Sequence, residues 1–334
     1  MRSLLIYGES GTYKSTNCGE IVRRVFEIYG KKSRLVTSDS SFGPMLDQVE
    51  EGILQPILLG NCKNPLAVLR LVCKGMWPSK ANSSGWFDEN SLKKVTPQEW
   101  EEWGGCLVIE GLHMNACLLQ QDIVGKGRDT GEPLQAKFQE LGLNFAHGSR
   151  GTFGFVQAQT QAYVNDAKSL PIEWLVVTSH EGKGDDLVTK KSVFGPAVLG
   201  KSLTDKVPAW FENTVHSESY QFQTKDGQKK KGVRSHFNRH PDAEVSNVFW
   251  PAKLGVTPKD QKRVERRWPN LYIPLRIDEE GNYKSSIADL IEEIVCGRGE
   301  EGDERKEGYG EREIEYNPQA AQSLTKQEKG EGEE

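Results

Sequence analysis

Short apolar runs alternate with segments of helical periodicity through the first 180 residues or so of the chain. Four of these runs, at residues 3–7, 33–39, 106–112 and 171–180, predict buried strands, because each is a few residues long and bounded by glycine or polar residues. Apolar residues recur at helical spacing from Lys14 to Tyr29, and Gly30 ends that helix. Alternating strands and helices predict an α/β fold with a mostly parallel central sheet and helices on both faces.

Two smaller helical signals complete the core pattern. Residues 96–103 begin with a threonine, a proline and a glutamate three positions after the threonine, which is a capping-box pattern for a short helix. Residues 285–297 have the spacing of an amphipathic helix, which we expect to close the core. A β-hairpin is predicted within about residues 213–240, as a C-terminal extension of the sheet, because polar and apolar residues alternate around a Lys-Asp-Gly turn.

The charge distribution separates the end of the chain from the rest. Residues 297–334 contain 12 acidic and 6 basic residues, a charge of −6, whereas the whole chain has a formal charge of −5, which leaves about +1 for residues 1–296. Residues 297–334 are therefore predicted to be an acidic disordered tail. Residues 1–296 are predicted to be one domain, with insertions near 76–95 and 121–150.

Composition also narrows the cellular setting. The chain has no apolar run of about 18 residues, so no membrane span is expected, and the first residues lack the pattern of a signal peptide. Its six cysteines show neither C-x-x-C spacing nor a Cys/His metal pattern. We expect them to be mostly buried thiols of a cytoplasmic protein.

The segment GESGTYKST, residues 8–16, follows the first strand and opens the first helix. Against the phosphate-loop pattern G-x-x-x-x-G-K-[ST], Gly8, Lys14 and Ser15 match, and Tyr13 occupies the position of the second glycine. Backbone N–H groups and a helix N-terminus bind phosphate, lysine neutralises its charge, and the serine hydroxyl is a Mg²⁺ ligand. We expect ATP and Mg²⁺ here, with an ordinary strand–turn–helix as the alternative. The predicted nucleotide contacts are Gly8, Glu9, Ser10, Gly11, Thr12, Tyr13, Lys14, Ser15 and Thr16.

Polar residues at the ends of the other strands add candidates for chemistry. Glu110 ends the third strand and is predicted to hold Mg²⁺ with Ser15, a surface glutamate being the alternative. His180 ends the fourth strand and is predicted to sense the γ-phosphate, a structural histidine being the alternative. Asp39, at the end of the second strand, is the candidate for orienting the attacking water, with Glu9 as the other. The predicted catalytic residues are Lys14, Glu110, His180 and Asp39.

In the order of four segments, the chain resembles the phage-encoded AAA/RecA-like P-loop ATP-binding proteins, which are related to RecA-type single-strand annealing and recombination ATPases. The segments are YGESGTYKST, CLVIEGL, WLVVTSHEGKGDD and FGPAVLGKSLTDKVPAWFE, and the likeness covers about residues 2–240. It implies a RecA-like ATPase that acts in phage DNA recombination or replication in the host cytoplasm, as a ring or filament of identical subunits. It also implies that Lys201 enters a neighbouring ATP site and that Lys183, Lys190 and Lys191 contact single-stranded DNA. Tyr13 in place of glycine and Glu110 in place of aspartate depart from the family pattern.

Two basic segments bear independently on nucleic-acid binding. One supplies the further DNA-binding candidates Lys229, Lys230, Lys231 and Arg234, and the other is KRVERRW at residues 262–268. Basic side chains neutralise phosphates and aromatic rings stack on unpaired bases, but a solvated hairpin turn and a charged helix face explain the same residues. Two other functions remain open: a non-hydrolysing ATP-binding module of a replication assembly, and, ranked last, a small-molecule or nucleotide kinase.

Overall fold

The computed structural model describes residues 1–38, 42–78, 89–119, 150–185, 192–198, 206–223, 229–237, 248–249, 252–277 and 283–296. The chain divides into two compact units. The larger consists of Met1–Ser219 and Val233–Arg298, and it contains the core and the site described below. The smaller consists of Tyr220–Gly232 and Gly299–Glu334, of which only residues 220–223 and 229–232 are described, as strand.

The described strands are β1 (Arg2–Gly8), β2 (Ser33–Thr37), β3 (Leu54–Leu58), β4 (Met76–Pro78), β5 (Leu92–Lys94), β6 (Cys106–Glu110), β7 (Trp174–Asp185), β8 (Ser192–Pro196), β9 (Asn213–Gln223), β10 (Lys229–His236), β11 (Val248–Phe249), β12 (Tyr272–Pro274), β13 (Arg276–Ile277) and β14 (Tyr283–Ser285). The helices are α1 (Lys14–Tyr29), α2 (Leu46–Glu50), α3 (Pro65–Cys73), α4 (Pro97–Trp103), α5 (Arg150–Lys168), α6 (Pro258–Arg267) and α7 (Ile287–Cys296), and residues 112–119 are also helical.

One large sheet runs through the described residues in the order β12-β10-β9-β1-β7-β6-β2-β3. Its central pairs are parallel: β1 with both β7 and β9, β6 with β7, and β2 with both β6 and β3. The exceptions lie at its margins, where β10 and β12 are antiparallel and β8 pairs antiparallel with the end of β7. The α/β prediction with a mostly parallel sheet is therefore confirmed.

Strands β9 and β10 lie within residues 213–240, where the sequence predicts a hairpin extension. Strands β9 and β10 are neighbours in the main sheet, and β9 pairs in parallel with β1 from Leu4↔Asn213 to Gly8↔Ser217. These strands are part of the same sheet as β1, which precedes the loop of residues 9–13. Residues 224–228, which contain the predicted turn, lie outside the described residues, so a hairpin extension stays a prediction.

The core forms on both faces of the sheet because successive strand residues point to opposite sides. Leu4 and Ile6 of β1 pack in the cluster that contains residues of α1 and α7, whereas Leu5 packs in the cluster that contains residues of α3 and α5. Helices on both faces are thus confirmed. The ends of the predicted insertion at 76–95 also belong to this core, since Trp77 and Leu92 are each 5% exposed.

Helix boundaries follow the local signals. Gly30 ends α1 in the left-handed region, with φ of 68°, and its N–H donates to the Phe26 carbonyl. Thr96 and Glu99 form the predicted capping box: the Thr96 hydroxyl accepts from the Glu99 N–H, and the Glu99 carboxylate accepts from the Thr96 N–H. The start of α4 therefore forms the capping box that the sequence pattern indicates.

Candidate functional site

A cavity of about 420 Å³ lies at the carboxyl ends of β1 and β6 and beside residues 178–180 of β7, where the loop after β1 enters α1. Ligands of open parallel sheets bind at this end of the strands. The register of the sheet brings the strand ends together, since Gly8 of β1 pairs with His180 of β7. The cavity is lined by residues 10–16 of the loop and by Pro44, Glu110, Gly111, Thr178, Ser179 and His180.

Gly8 is needed for packing against the neighbouring strand. A Cβ atom at this position would lie 1.9 Å from the Ser217 carbonyl oxygen of β9 and 2.9 Å from the Ser217 carbonyl carbon. Such distances are far inside van der Waals contact, so only glycine fits without displacing β9. The first glycine of the phosphate-loop pattern thus sets how closely β1 and β9 approach each other.

The backbone conformation at Tyr13 shows how the loop accommodates a tyrosine where the pattern has a glycine. Tyr13 lies immediately before α1 with φ of 55° and ψ of 32°, in the left-handed region that glycine adopts freely. The loop therefore keeps the backbone turn that the expected glycine would make. Its side chain is 49% exposed and lines the cavity.

Lys14, the first residue of α1, holds its ammonium group against the loop. Its Nζ donates to the carbonyl oxygens of Glu9 at 2.6 Å and Gly8 at 3.0 Å. The Thr12 hydroxyl, 3.4 Å from the same Nζ, donates to the Glu9 carbonyl at 2.8 Å and stiffens the turn. A positive charge is thus positioned at the N-terminus of a helix, where both the side chain and the helix dipole favour an anion.

Ser15 and Glu110 meet at the floor of the cavity. The Ser15 hydroxyl donates to the Glu110 carboxylate, although 95 positions separate the two residues in sequence. Glu110 is 3% exposed, so it is not a surface glutamate. Gly111 follows it with φ of 82°, and the Gly111 N–H donates to the Thr178 hydroxyl at 3.0 Å, which ties β6 to β7 beside the carboxylate. A hydroxyl and a carboxylate therefore share the position next to Lys14.

The part of β7 that pairs with the end of β1 supplies polar groups of two kinds. The buried Ser179 hydroxyl donates to the Ala197 carbonyl at 2.9 Å, so it holds the segment after β8 in place. His180 is exposed and lines the cavity, and its backbone carbonyl accepts from the Ala197 N–H at 2.6 Å. His180 is thus placed to meet a ligand, while its main chain is held by the sheet.

Buried groups around the site keep their protons. Burial, followed by the charge of Glu110, raises the pKa of the Cys18 thiol well above its ordinary value. Burial, followed by the charge of Glu181, raises the pKa of the Tyr7 phenol in the same way. Both side chains are therefore neutral at physiological pH, and Glu110 faces no thiolate across the floor of the cavity.

A band of paired polar residues crosses the sheet beside β1. His216 of β9 contacts the Glu181 carboxylate, and its ring lies 5.0 Å from that of Tyr7. Glu218 accepts from Arg234 at 2.7 Å and lies 2.8 Å from His236. Burial raises the pKa of Glu218, but the hydrogen bonds and charges of His236 and Arg234 together outweigh it and hold that pKa at about 2. Burial, only partly offset by Glu218, lowers the pKa of His236.

The remaining predicted residues are spread over the chain. Lys183 is exposed on β7, and its Nζ lies 5.9 Å from the centre of the Phe194 ring. Arg234, besides its contact with Glu218, lies 5.0 Å from the Tyr272 ring and is held inside the fold. Strand β10 exposes three consecutive lysines, Lys229, Lys230 and Lys231. Four predicted residues lie outside the described residues: Asp39, Lys190, Lys191 and Lys201.

Sequence reasoning missed residues whose roles depend on tertiary contacts. Pro44 and Gly111 line the cavity. Of the two, only Gly111 lies in a sequence segment that indicated a site, because it directly follows Glu110. Asn17 is buried, and its side-chain amide donates to the Tyr13 carbonyl at 3.0 Å while its oxygen accepts from the Ile287 N–H at 3.1 Å. Asn17 therefore ties the loop before α1 to the start of α7, which no spacing in the sequence indicates.

Comparison with known proteins adds little to this geometry. No protein-family profile matches the sequence, and no curated protein matches it. The structure is similar to that of the flagellar accessory protein FlaH from Methanocaldococcus jannaschii, with 10% sequence identity, a TM-score of 0.36, and coverage of 86% of this chain and 89% of that one. Within the described ranges, no helix combines the length and apolar character needed to cross a bilayer.

Proposed function

We propose that the chain binds ATP with Mg²⁺ at this cavity and hydrolyses it, on a RecA-like P-loop core. The observation that supports this most directly is the hydrogen bond from Ser15 to Glu110 directly beside Lys14. These groups come from α1 and from β6, so the fold assembles them rather than the local sequence. A mostly parallel sheet with the loop after its central strand β1 agrees with the proposal.

The groups at the floor of the cavity suit a small hard cation. Mg²⁺ prefers oxygen ligands and binds through one or two protein groups together with substrate phosphates. Ser15 and Glu110 offer a hydroxyl and a carboxylate oxygen that already lie within hydrogen-bonding distance of each other. When bound, Mg²⁺ would be held by these two side chains and would neutralise charge on the β- and γ-phosphates.

The side chains of the loop bind and orient the triphosphate. Lys14 exchanges its contacts with the Gly8 and Glu9 carbonyls for phosphate oxygens, and the backbone N–H groups of the loop donate to the same anion. In the hydrolysis step a water oxygen attacks the γ-phosphorus, the bond to the bridging oxygen breaks, and ADP and phosphate leave. His180 contacts the γ-phosphate, and Asp39 or Glu9 orients the water and accepts its proton.

The proposal extends to DNA recombination or replication in a phage-infected cell, with a ring or filament of subunits in the cytoplasm. Its support is the exposure of Lys183 on β7 and of Lys229, Lys230 and Lys231 on β10. Single-stranded DNA is the proposed partner, since consecutive exposed lysines neutralise backbone phosphates. Replacing all three β10 lysines with glutamine should weaken binding of a labelled single-stranded oligonucleotide, as measured by fluorescence anisotropy. Unchanged binding would remove DNA from the proposal.

Tyr13 favours one alternative, a protein that binds ATP without turning it over. A bulky residue stands beside the catalytic lysine, where the pattern has glycine, and it lines the cavity. Such a residue can hold a nucleotide firmly and still exclude a productive arrangement of water. Tight ATP binding with no release of phosphate, in the presence or absence of DNA, would select this alternative.

The test of the proposed site compares two lysines that each lie in the first turn of a helix. Lys14 begins α1 in the cavity, whereas Lys259 lies in the exposed first turn of α6 outside it. Calorimetry with Mg²⁺ and ATP should show binding to the wild type and to Lys259→Ala, and at least a 100-fold loss with Lys14→Ala, because removal of a paired charge costs about 3 kcal/mol. Equal affinity of the two variants would refute the proposal.

A further inference from the structure

The backbone at Tyr13 is held in a conformation that its own side chain disfavours. A left-handed φ costs a residue with a Cβ about 1–2 kcal/mol relative to glycine. Two hydrogen bonds fix the Tyr13 carbonyl in place: the Asn17 backbone N–H donates to it at 2.9 Å, and the Asn17 side-chain amide donates to it at 3.0 Å. Asn17 is in turn held by the Ile287 N–H at the start of α7. The conformation is thus imposed by the fold, whichever residue stands at position 13.

The Tyr13 ring makes few contacts within the described residues that could offset this backbone strain. No hydrogen bond, ion pair or ring contact of the Tyr13 side chain is found among the described residues, and the side chain is 49% exposed. Glycine at this position would relieve the strain at the cost of little packing. Strained residues that persist at the wall of a cavity indicate a role with the ligand.

The position and chemistry of the ring narrow that role. Glu110 and Thr178 are each 3% exposed, whereas Tyr13, which lines the same cavity, is 49% exposed, so Tyr13 lies on the solvent side, at the mouth of the cavity. With the phosphates at Lys14 and Ser15, the part of the ligand that extends toward the mouth is the nucleoside. An aromatic face carries partial negative charge, so it repels phosphate and favours stacking on a base.

We propose that Tyr13 stacks on the base of the bound nucleoside triphosphate and so discriminates nucleotides from inorganic polyphosphates. This inference rests on the proposed function of the same site. Tyr13 is held ready for that contact before the ligand arrives, because Asn17 fixes the backbone from which the ring projects. Such preorganisation lowers the entropic cost of binding. The strain at residue 13 is thereby repaid when a nucleoside occupies the mouth of the cavity.

The test compares affinities for ATP and for inorganic tripolyphosphate, each with Mg²⁺, by calorimetry. Tyr13→Leu keeps a Cβ in the left-handed region but removes the aromatic face, whereas Tyr13→Phe keeps that face. We expect the Leu variant to lose about 5- to 100-fold in affinity for ATP and less than about 2-fold for tripolyphosphate. The Phe variant should retain both affinities within about 2-fold, since the hydroxyl takes no part in stacking.

Taking the ratio of the two affinities cancels any general disturbance of the loop. A Leu variant with unchanged affinity for ATP would overturn the stacking proposal, and so would equal losses for both ligands. In either case, binding of both ligands by the wild type and their loss in Lys14→Ala would leave the proposed function standing. If the wild type binds neither ligand, the proposed function fails and the role of Tyr13 fails with it.

Discussion

Gly8→Ala tests whether the approach of β9 to β1 shapes the site. The added methyl group would lie 1.9 Å from the Ser217 carbonyl oxygen, and ordinary van der Waals contact begins at 3.4 Å. The two strands would therefore have to separate by about 1.5 Å at the last of their paired residues, Gly8 and Ser217. Backbone atoms form the obstacle, so no side-chain rotation can relieve it.

The cost follows from the clash. Extra methyl groups in well-packed regions cost about 1–3 kcal/mol, and a clash with backbone in the middle of a sheet belongs at the upper end of that range. Gly154→Ala is the matched control, since Gly154 lies exposed within α5 and a Cβ there meets nothing within 4 Å. The same substitution should stabilise the protein there by about 0.5–1 kcal/mol.

Urea unfolding followed by circular dichroism measures both changes. We expect the free energy of unfolding to fall by about 3 kcal/mol for Gly8→Ala and to rise slightly for Gly154→Ala, with similar dependence on urea concentration. A Gly8→Ala protein within about 0.5 kcal/mol of wild type, beside a control that shifts as expected, would refute the argument. Gly8 would then serve the ligand and not the contact between the strands.

Two further predictions concern residues that the fold perturbs. Tyr13→Gly should raise the free energy of unfolding without nucleotide by about 1 kcal/mol, because glycine accepts the left-handed φ of 55°; thermal unfolding that is unchanged or earlier than wild type would contradict this. Glu218 has a pKa of about 2 in the folded protein, below the ordinary value of about 4.3, so its stabilising contribution is complete above about pH 4.3 and is lost as the pH falls toward 2. Glu218→Gln should therefore destabilise the protein near neutral pH, and its difference from wild type should shrink on acidification. Urea titrations at about pH 6 and pH 3 check this, and a constant difference would show that the Glu218 carboxylate is not stabilised by folding.

Much of the architecture was predictable because it depends on local pattern. The four predicted strands lie in the sheet, and the structure differs from the prediction only in where they begin and end. The second strand ends at Thr37 instead of residue 39, and the fourth continues to Asp185. The helix after the loop begins at Lys14 and ends at Tyr29, as its apolar spacing and Gly30 indicate. Burial periodicity and capping act over a few residues, so they can be identified without knowing the neighbours.

The position of the later strands was not predictable in the same way. An alternating pattern at 213–240 indicates strand, but it does not say which strand will be the partner. In the fold, β9 lies beside β1, and this places Ser217 against Gly8. Which strand pairs with which depends on how the whole sheet covers its core. Distant segments compete for the same positions, and the periodicity of one segment does not indicate the outcome.

For the candidate site, the amino-acid sequence alone determined the loop, its lysine and serine, and the acidic residue that ends a buried strand, because each is a residue type at a fixed distance from a strand or helix boundary. Only the tertiary structure decided that Ser15 reaches Glu110 across 95 positions, and that Asn17 and α7 hold Tyr13 in the left-handed region. The physical reason is that a motif depends only on residues close together in sequence. Contacts and backbone strain depend on which distant segments pack against each other.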